Sequence, residues 1–111
     1  MAVVNQYKFA GLNANTDNTE KNPFGSSNPL VSETYLIKSI IVKSAGTPTP
    51  TVTNDGIVVI QSAALVANQS KELLTQPLIV EGGKTFTIQS STSDSFDVAI
   101  SYLNIKKEVT T

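Results

Sequence analysis

Apolar and polar residues alternate along this chain in short runs, and nearly every run is closed by Gly, Pro, Asn or Ser. A period of two places successive side chains on opposite faces of a pleated strand, so the pattern predicts β-strands joined by turns. Residues 3–10 form a first strand, with Val4, Gln6 and Lys8 on one face and Val3, Tyr7 and Phe9 on the other. The most apolar run, Tyr35-Leu36-Ile37-Lys38-Ser39-Ile40-Ile41-Val42, carries large aliphatics on both faces: Leu36, Ile40 and Val42 against Tyr35, Ile37 and Ile41. A face open to water ordinarily turns polar. The expectation is therefore a strand covered on both sides, the second side by the first strand, a loop or another subunit.

Pro48 and Pro50 cannot donate to a ladder, which confines them to an edge strand or an extended connector. Asn54-Asp55-Gly56 signals a hairpin, because these residue types tolerate positive φ, and it pairs residues 51–53 with residues 57–60. Residues 63–67 continue that strand or cross between sheets. A second hairpin is expected at Gly82-Gly83, joining residues 78–80 to residues 85–89 with Phe86 and Ile88 inward. In the last strand Phe96, Val98, Ile100 and Tyr102 point into the core. Leu103 and Ile105 then fall on the opposite face, which requires a bulge or a second covered surface there.

Residues 11–29 lose the alternation and are rich in Asn, Thr and Ser, with Leu12 and Phe24 as their only large apolar residues. The stretch 11–30 is expected to be a long loop or arm, and a loop of that length in a compact domain usually carries a function. Phe24 either anchors the arm on a neighbouring subunit or tucks back onto its own domain. Residues 106–111 are expected to fray. With about six to eight strands and no convincing helix, residues 1–111 read as one all-β domain, an antiparallel two-sheet β-sandwich of jelly-roll-like type.

The chain has 111 residues, enough for one domain with a single core. Only 15% are charged against 40% hydrophobic, so Thr, Ser, Asn and Gln must supply much of the surface, which suits strands and turns. A net charge of −1, with no Arg and no basic cluster beyond Lys106-Lys107, argues against gripping a nucleic-acid backbone. Without Cys there is no disulfide framework. Met1-Ala2-Val3-Val4-Asn5-Gln6 lacks the basic and apolar regions of a signal peptide, and no run approaches the roughly 20 apolar residues that span a bilayer. A soluble protein outside the usual export route, with no membrane partner, is expected. Asn68-Gln69-Ser70 matches a glycosylation sequon and in that setting reads as a polar turn.

Candidate chemistry is sparse. His, Cys, Trp and Arg are all missing, which removes the commonest general base, thiol nucleophile, soft metal ligands and phosphate fork. The nine acidic residues are scattered along turns and strand ends, with nothing to suggest the facing carboxylates of a glycosidase. Asp94 and Asp97 share a loop but lack the spacing of a calcium loop. Ser and Thr have no His to activate them and no Ser-x-x-Lys motif, while Gly82-Gly83 precedes a strand where a phosphate loop would precede a helix. No catalytic, metal or cofactor residue is assigned, and the chain reads as a non-enzyme. Assembly contacts are expected at Phe24 and at the out-of-phase pair Leu103 and Ile105. A different class of function, a carbohydrate- or host-surface-binding module, would use the loops around Asn54-Asp55 and residues 90–94. Tyr7, Tyr35 and Tyr102 all fall in strands, where half-burial is the ordinary outcome for an aromatic.

Three stretches together carry a family resemblance: Tyr35-Leu36-Ile37-Lys38-Ser39-Ile40-Ile41-Val42, Leu74-Thr75-Gln76-Pro77-Leu78-Ile79-Val80-Glu81-Gly82-Gly83-Lys84-Thr85-Phe86, and Ile100-Ser101-Tyr102-Leu103-Asn104-Ile105. The chain resembles small β-sandwich virion proteins of tailed bacteriophages, in which a Lys/Arg-Ser-Ile strand is followed by a Pro-Leu-x-Leu-Glu-x-Gly-Asp hairpin and a Ser-Tyr-Leu-x-Ile closing strand. Lys84 stands where that pattern commonly has Asp. The resemblance covers roughly the last two thirds of the chain, and its motifs are hydrophobic and turn-forming. It implies a structural component that binds and stabilises or decorates the capsid or head-to-tail region. It also implies self-association, other virion proteins as partners, and a place in the virion after assembly in the host cytoplasm.

Overall fold

The computed structural model describes residues 3–15, 19–24, 29 and 32–107. Its strands follow one another as β1 (Val3–Asn15), β2 (Glu33–Ser44), β3 (Pro50–Asn54), β4 (Ile57–Gln61), β5 (Lys71–Glu72), β6 (Leu78–Val80), β7 (Phe86–Ser90) and β8 (Phe96–Lys107). They form two antiparallel sheets, and no helix occurs among the described residues. The larger sheet runs β1-β8-β2, with β5 and β6 both along the far edge of β2; the smaller runs β4-β3-β7. The chain is an all-β sandwich, as its alternation implied.

Between the sheets lies one apolar core. Phe96, Val98, Ile100 and Tyr102 of β8 enter it from the larger sheet, and Val52, Phe86 and Ile88 from the smaller. The doubly apolar strand β2 is explained by a bulge and not by cover on both sides. Its register with β8 steps between Ile37 and Ser39, leaving Lys38 unpaired there. The step restores phase, so Tyr35 and Ile37 before it and Ile40 and Val42 after it all point inward, none more than 5% exposed. Only Leu36 and Ile41 remain outward. Beside the bulge, β2 has no strand partner between β5 and β6, and Glu72 fills the gap. Its carboxylate accepts the Ile40 N–H at 2.7 Å, the Leu74 N–H at 3.3 Å and the Ser39 hydroxyl.

Four further expectations change. Strand β1 continues to Asn15, so the first residues of the expected loop belong to the ladder: β8 is long enough to pair with them, as far as Asn15 opposite Phe96. Gly11 permits this close approach, since a Cβ there would collide with the Val98 carbonyl oxygen. At the other end, Lys106 and Lys107 pair with Val4 and Val3, where fraying was expected; residues 108–111 lie outside the described residues. Gly82-Gly83 makes no hairpin, because β6 pairs with β2 and β7 with β3; that turn carries the chain from one sheet to the other. Lastly, Pro50 opens a central strand and not an edge strand, tolerated because it is the first residue of β3.

The hairpin at Asn54-Asp55-Gly56 forms as expected. Asp55 and Gly56 have φ of 53° and 78°, the left-handed pair that a tight two-residue turn between twisted strands requires. A bulge between Val52 and Thr53 leaves Val59 of β4 without a partner in that pairing. Residues 62–70 then cross back to the larger sheet. Their anchors are the buried Leu65, whose N–H donates to Pro48 O at 2.8 Å, and the Asn68 N–H, which donates to Ser44 O at 2.7 Å.

Candidate interface on the outer face of the larger sheet

Strict alternation along β8 decides which residues look outward. Tyr102 is buried, Leu103 half-buried, Asn104 buried and Ile105 half-buried, so no bulge intervenes and the phase never changes. The apparent break in the sequence arises because a polar residue, Asn104, occupies an inward position. Its Nδ2 donates to Glu33 Oε2 at 3.0 Å, which makes an amide tolerable there, while its Oδ1 is buried without a partner. Leu103 and Ile105 therefore do lie on the face away from the core.

Antiparallel register extends that face sideways. Tyr7 of β1 stands opposite Leu103, Leu103 opposite Leu36 of β2, and Leu36 opposite Ile79 of β6. Directly opposed residues share a side of the sheet, so these four make one apolar row across four strands. Phe9 lies two residues along β1 from Tyr7, Ile105 two along β8 from Leu103, and Ile41 farther along β2. Tyr7 is 75% exposed, Phe9 71% and Ile79 54%. Scattered surface apolar residues are ordinary, but a row in register across a sheet is a patch.

β1 has the reverse of the usual amphipathic pattern. Its two aromatics face outward, while Gln6 and Lys8 occupy core-side positions opposite Asn104 and Tyr102. The sequence divides these residues correctly between two faces but does not say which is the inner one. The pairing of the first strand with the last settles it.

Phe24 is placed differently, in the chain's own core. Residues 20–24 are fastened to β7: Lys21 and Ile88 exchange backbone hydrogen bonds of 3.0 and 2.8 Å, and the Thr87 hydroxyl donates to Glu20 Oε2 at 2.7 Å. Asn22 Oδ1 accepts the Phe24 N–H at 2.9 Å across Pro23, a side-chain turn that aims the ring inward. There it meets Tyr35 and Tyr102 edge-on, both at 4.9 Å between centroids, and Phe86 at 5.6 Å. The Tyr35 and Tyr102 rings themselves lie 4.6 Å apart between centroids, tilted by 43°, and their phenols interact. Burial, then the neighbouring Tyr102 and Glu33, push the Tyr35 phenol up to about 12. Burial also raises Tyr102, against the opposing pull of its interaction with Tyr35.

The loops that a surface-binding module would use do not converge. Asn54 pairs with Phe86 at one end of β3 and Pro50 with Ser90 at the other, which sets the two loops about 13 Å apart along the strand. Asp55 lies 3.8 Å from the Lys84 ammonium, and Asp94 Oδ2 accepts the Thr92 hydroxyl at 2.8 Å. Among the described residues no three acidic side chains come together as a metal-binding group. Two shallow grooves of about 230 and 200 Å³ lie where the edge strand β4 faces the segment from Leu73 to Glu81, with Val59 bordering both. Ile57 and Val58 are exposed beside them.

No protein-family model matches the chain, and no curated protein matches it. Among solved structures, the chain is similar to one from the cryo-EM structure of the extra small virus VLP of the giant freshwater prawn Macrobrachium rosenbergii. The TM-score is 0.49 and the identity 12%, over 98% of this chain and 82% of that one. A likeness that distant carries no argument about fold or function, and the reading rests on the residues themselves.

Proposed function

We propose that this chain is a non-enzymatic structural subunit of a virion, which self-associates and binds other virion proteins through the outer face of its larger sheet. In its finer form the proposal places the subunit on the capsid or head-to-tail region of a tailed bacteriophage, as stabiliser or decoration. One observation carries it: β1 turns Tyr7 and Phe9 away from the core and keeps Gln6 and Lys8 on the core side. Two aromatics left so exposed are favourable only when something covers them, because their burial is worth more than that of any other side chain on this face. The family resemblance of the three sequence stretches supports the viral setting. Leu103 and Ile105 act within this face as the floor between the more exposed side chains. Phe24 acts from inside, holding the inner side of the sheet that presents the face.

The test is location. An antibody raised against the purified chain should detect it in density-gradient fractions of virus particles from its source, and should lose it there when Tyr7 and Phe9 are both replaced by Ser. Detection only in the soluble host fraction would overturn the proposal.

A further inference from the structure

We infer that two copies of this chain join edge to edge through β1, antiparallel about a two-fold axis at Phe9, to form one continuous sheet. This deepens the structural reading above and rests on it. β1 pairs with β8 along one edge, and no described residue pairs with the other. The open edge is 13 residues long. Natural edges of this length are usually blunted by charge or Pro, yet residues 3–15 hold one charge, Lys8, and no Pro.

The second copy fits this edge on three counts. Pairing the strand with itself about Phe9 sets Lys8 opposite Ala10, so like charges do not face each other. It also sets Tyr7 opposite Gly11, which carries no side chain to meet the ring across the strands. A hollow of about 350 Å³, lined by Phe9, Gly11, Leu12 and Val98, opens there, and roughly 150 Å³ is enough to hold benzene. At the axis the two Phe9 rings meet as a cross-strand aromatic pair. The contact is isologous, so it closes as a dimer and does not propagate into a fibre. Four aromatic rings contribute at most about 1,000 Å² of buried area, comparable with the roughly 1,200 Å² at the lower end of ordinary stable complexes, and the dimer is therefore expected to be concentration-dependent.

The chain has no cysteine, so introduced thiols report pairing directly. Phe9→Cys sets two thiols on the axis with Cα atoms about 4.5–5.5 Å apart, inside disulfide range. Under mild copper-phenanthroline oxidation it should form a covalent dimer, whereas Val58→Cys on the edge of β4 should not. Because Phe9→Cys also removes an aromatic, a second test keeps both rings: a mixture of Lys8→Cys and Ala10→Cys should give the mixed dimer in several-fold excess over either homodimer. Trapping at Val58 and not at Phe9, equal yields in the mixture, or no trapped dimer at any concentration overturns the inference. Particle fractionation reads out separately. A chain present in particles but never trapped at Phe9 loses the inference and keeps the structural role, while absence from particles removes that role whatever the thiols do.

Discussion

Tyr7 and Leu103 stand directly opposite each other on β1 and β8, both on the side of the sheet that faces away from the core. One position farther along β8, Asn104 takes the inward place and holds Glu33 at 3.0 Å. A polar residue inside and apolar residues outside invert the usual rule for one end of a sheet. Such an inversion makes physical sense when the outer side is also an interior, within an assembly.

Phe24 belongs to the chain's own core. Phe24→Ala should lower stability to urea by about 3 kcal/mol, the usual cost of emptying a buried aromatic site. The near-ultraviolet dichroism of the packed tyrosines should weaken with it, while the solution mass stays that of the wild type. A loss of self-association at unchanged stability would show instead that Phe24 reaches a neighbour.

The bulge at Lys38 depends on Glu72. Removing that carboxylate leaves the Ile40 N–H, which it accepts at 2.7 Å, without its partner. Glu72→Ala should cost about 1–3 kcal/mol in urea unfolding. Glu72→Gln should recover part of that loss, because an amide oxygen still accepts one of the two backbone donors. Equal losses in both variants would show that charge matters there more than hydrogen bonding.

The tyrosine pair makes the fold sensitive to alkali. Tyr35 is raised from 10.0 to about 12 in the folded chain, chiefly by burial, so the native state prefers the protonated phenol. Its contribution to stability is fully present below pH 10 and is lost as pH rises from there toward about 12. Tyr102 shifts the same way. A tyrosinate absorbance titration of wild type against Tyr35→Phe should show the Tyr35 component appearing late and together with unfolding. A Tyr35 component, taken as the difference between wild type and Tyr35→Phe, that titrates at pH 10 in the still-folded protein would contradict the described burial.

Much of this fold was legible in the sequence, because alternation, Asn-Asp-Gly turn chemistry and the inward set Phe96, Val98, Ile100 and Tyr102 are local properties. What was not legible depends on pairing. The bulge at Lys38 exists because β8 and Glu72 hold β2 in a stepped register, and nothing in the run from Tyr35 to Val42 marks it. Gly82-Gly83 has the composition of a hairpin turn, but its flanking strands find better partners in opposite sheets. The candidate face divides in the same way. Leu103 and Ile105 stood out by their phase, whereas Tyr7 and Phe9 stood out only once β1 was paired with β8 and its inner side was known.

The central claim, that the outer face of the larger sheet is an assembly surface, is tested most directly by solution mass. Light scattering at several concentrations should find a discrete oligomer for the wild type and a monomer for Tyr7→Ser/Phe9→Ser. Measured at dilution where both are monomeric, the urea midpoints should correspond to stabilities within about 1 kcal/mol, since both side chains are exposed in the single chain. A wild type that stays monomeric throughout, or a double variant that keeps the wild-type mass, would contradict it.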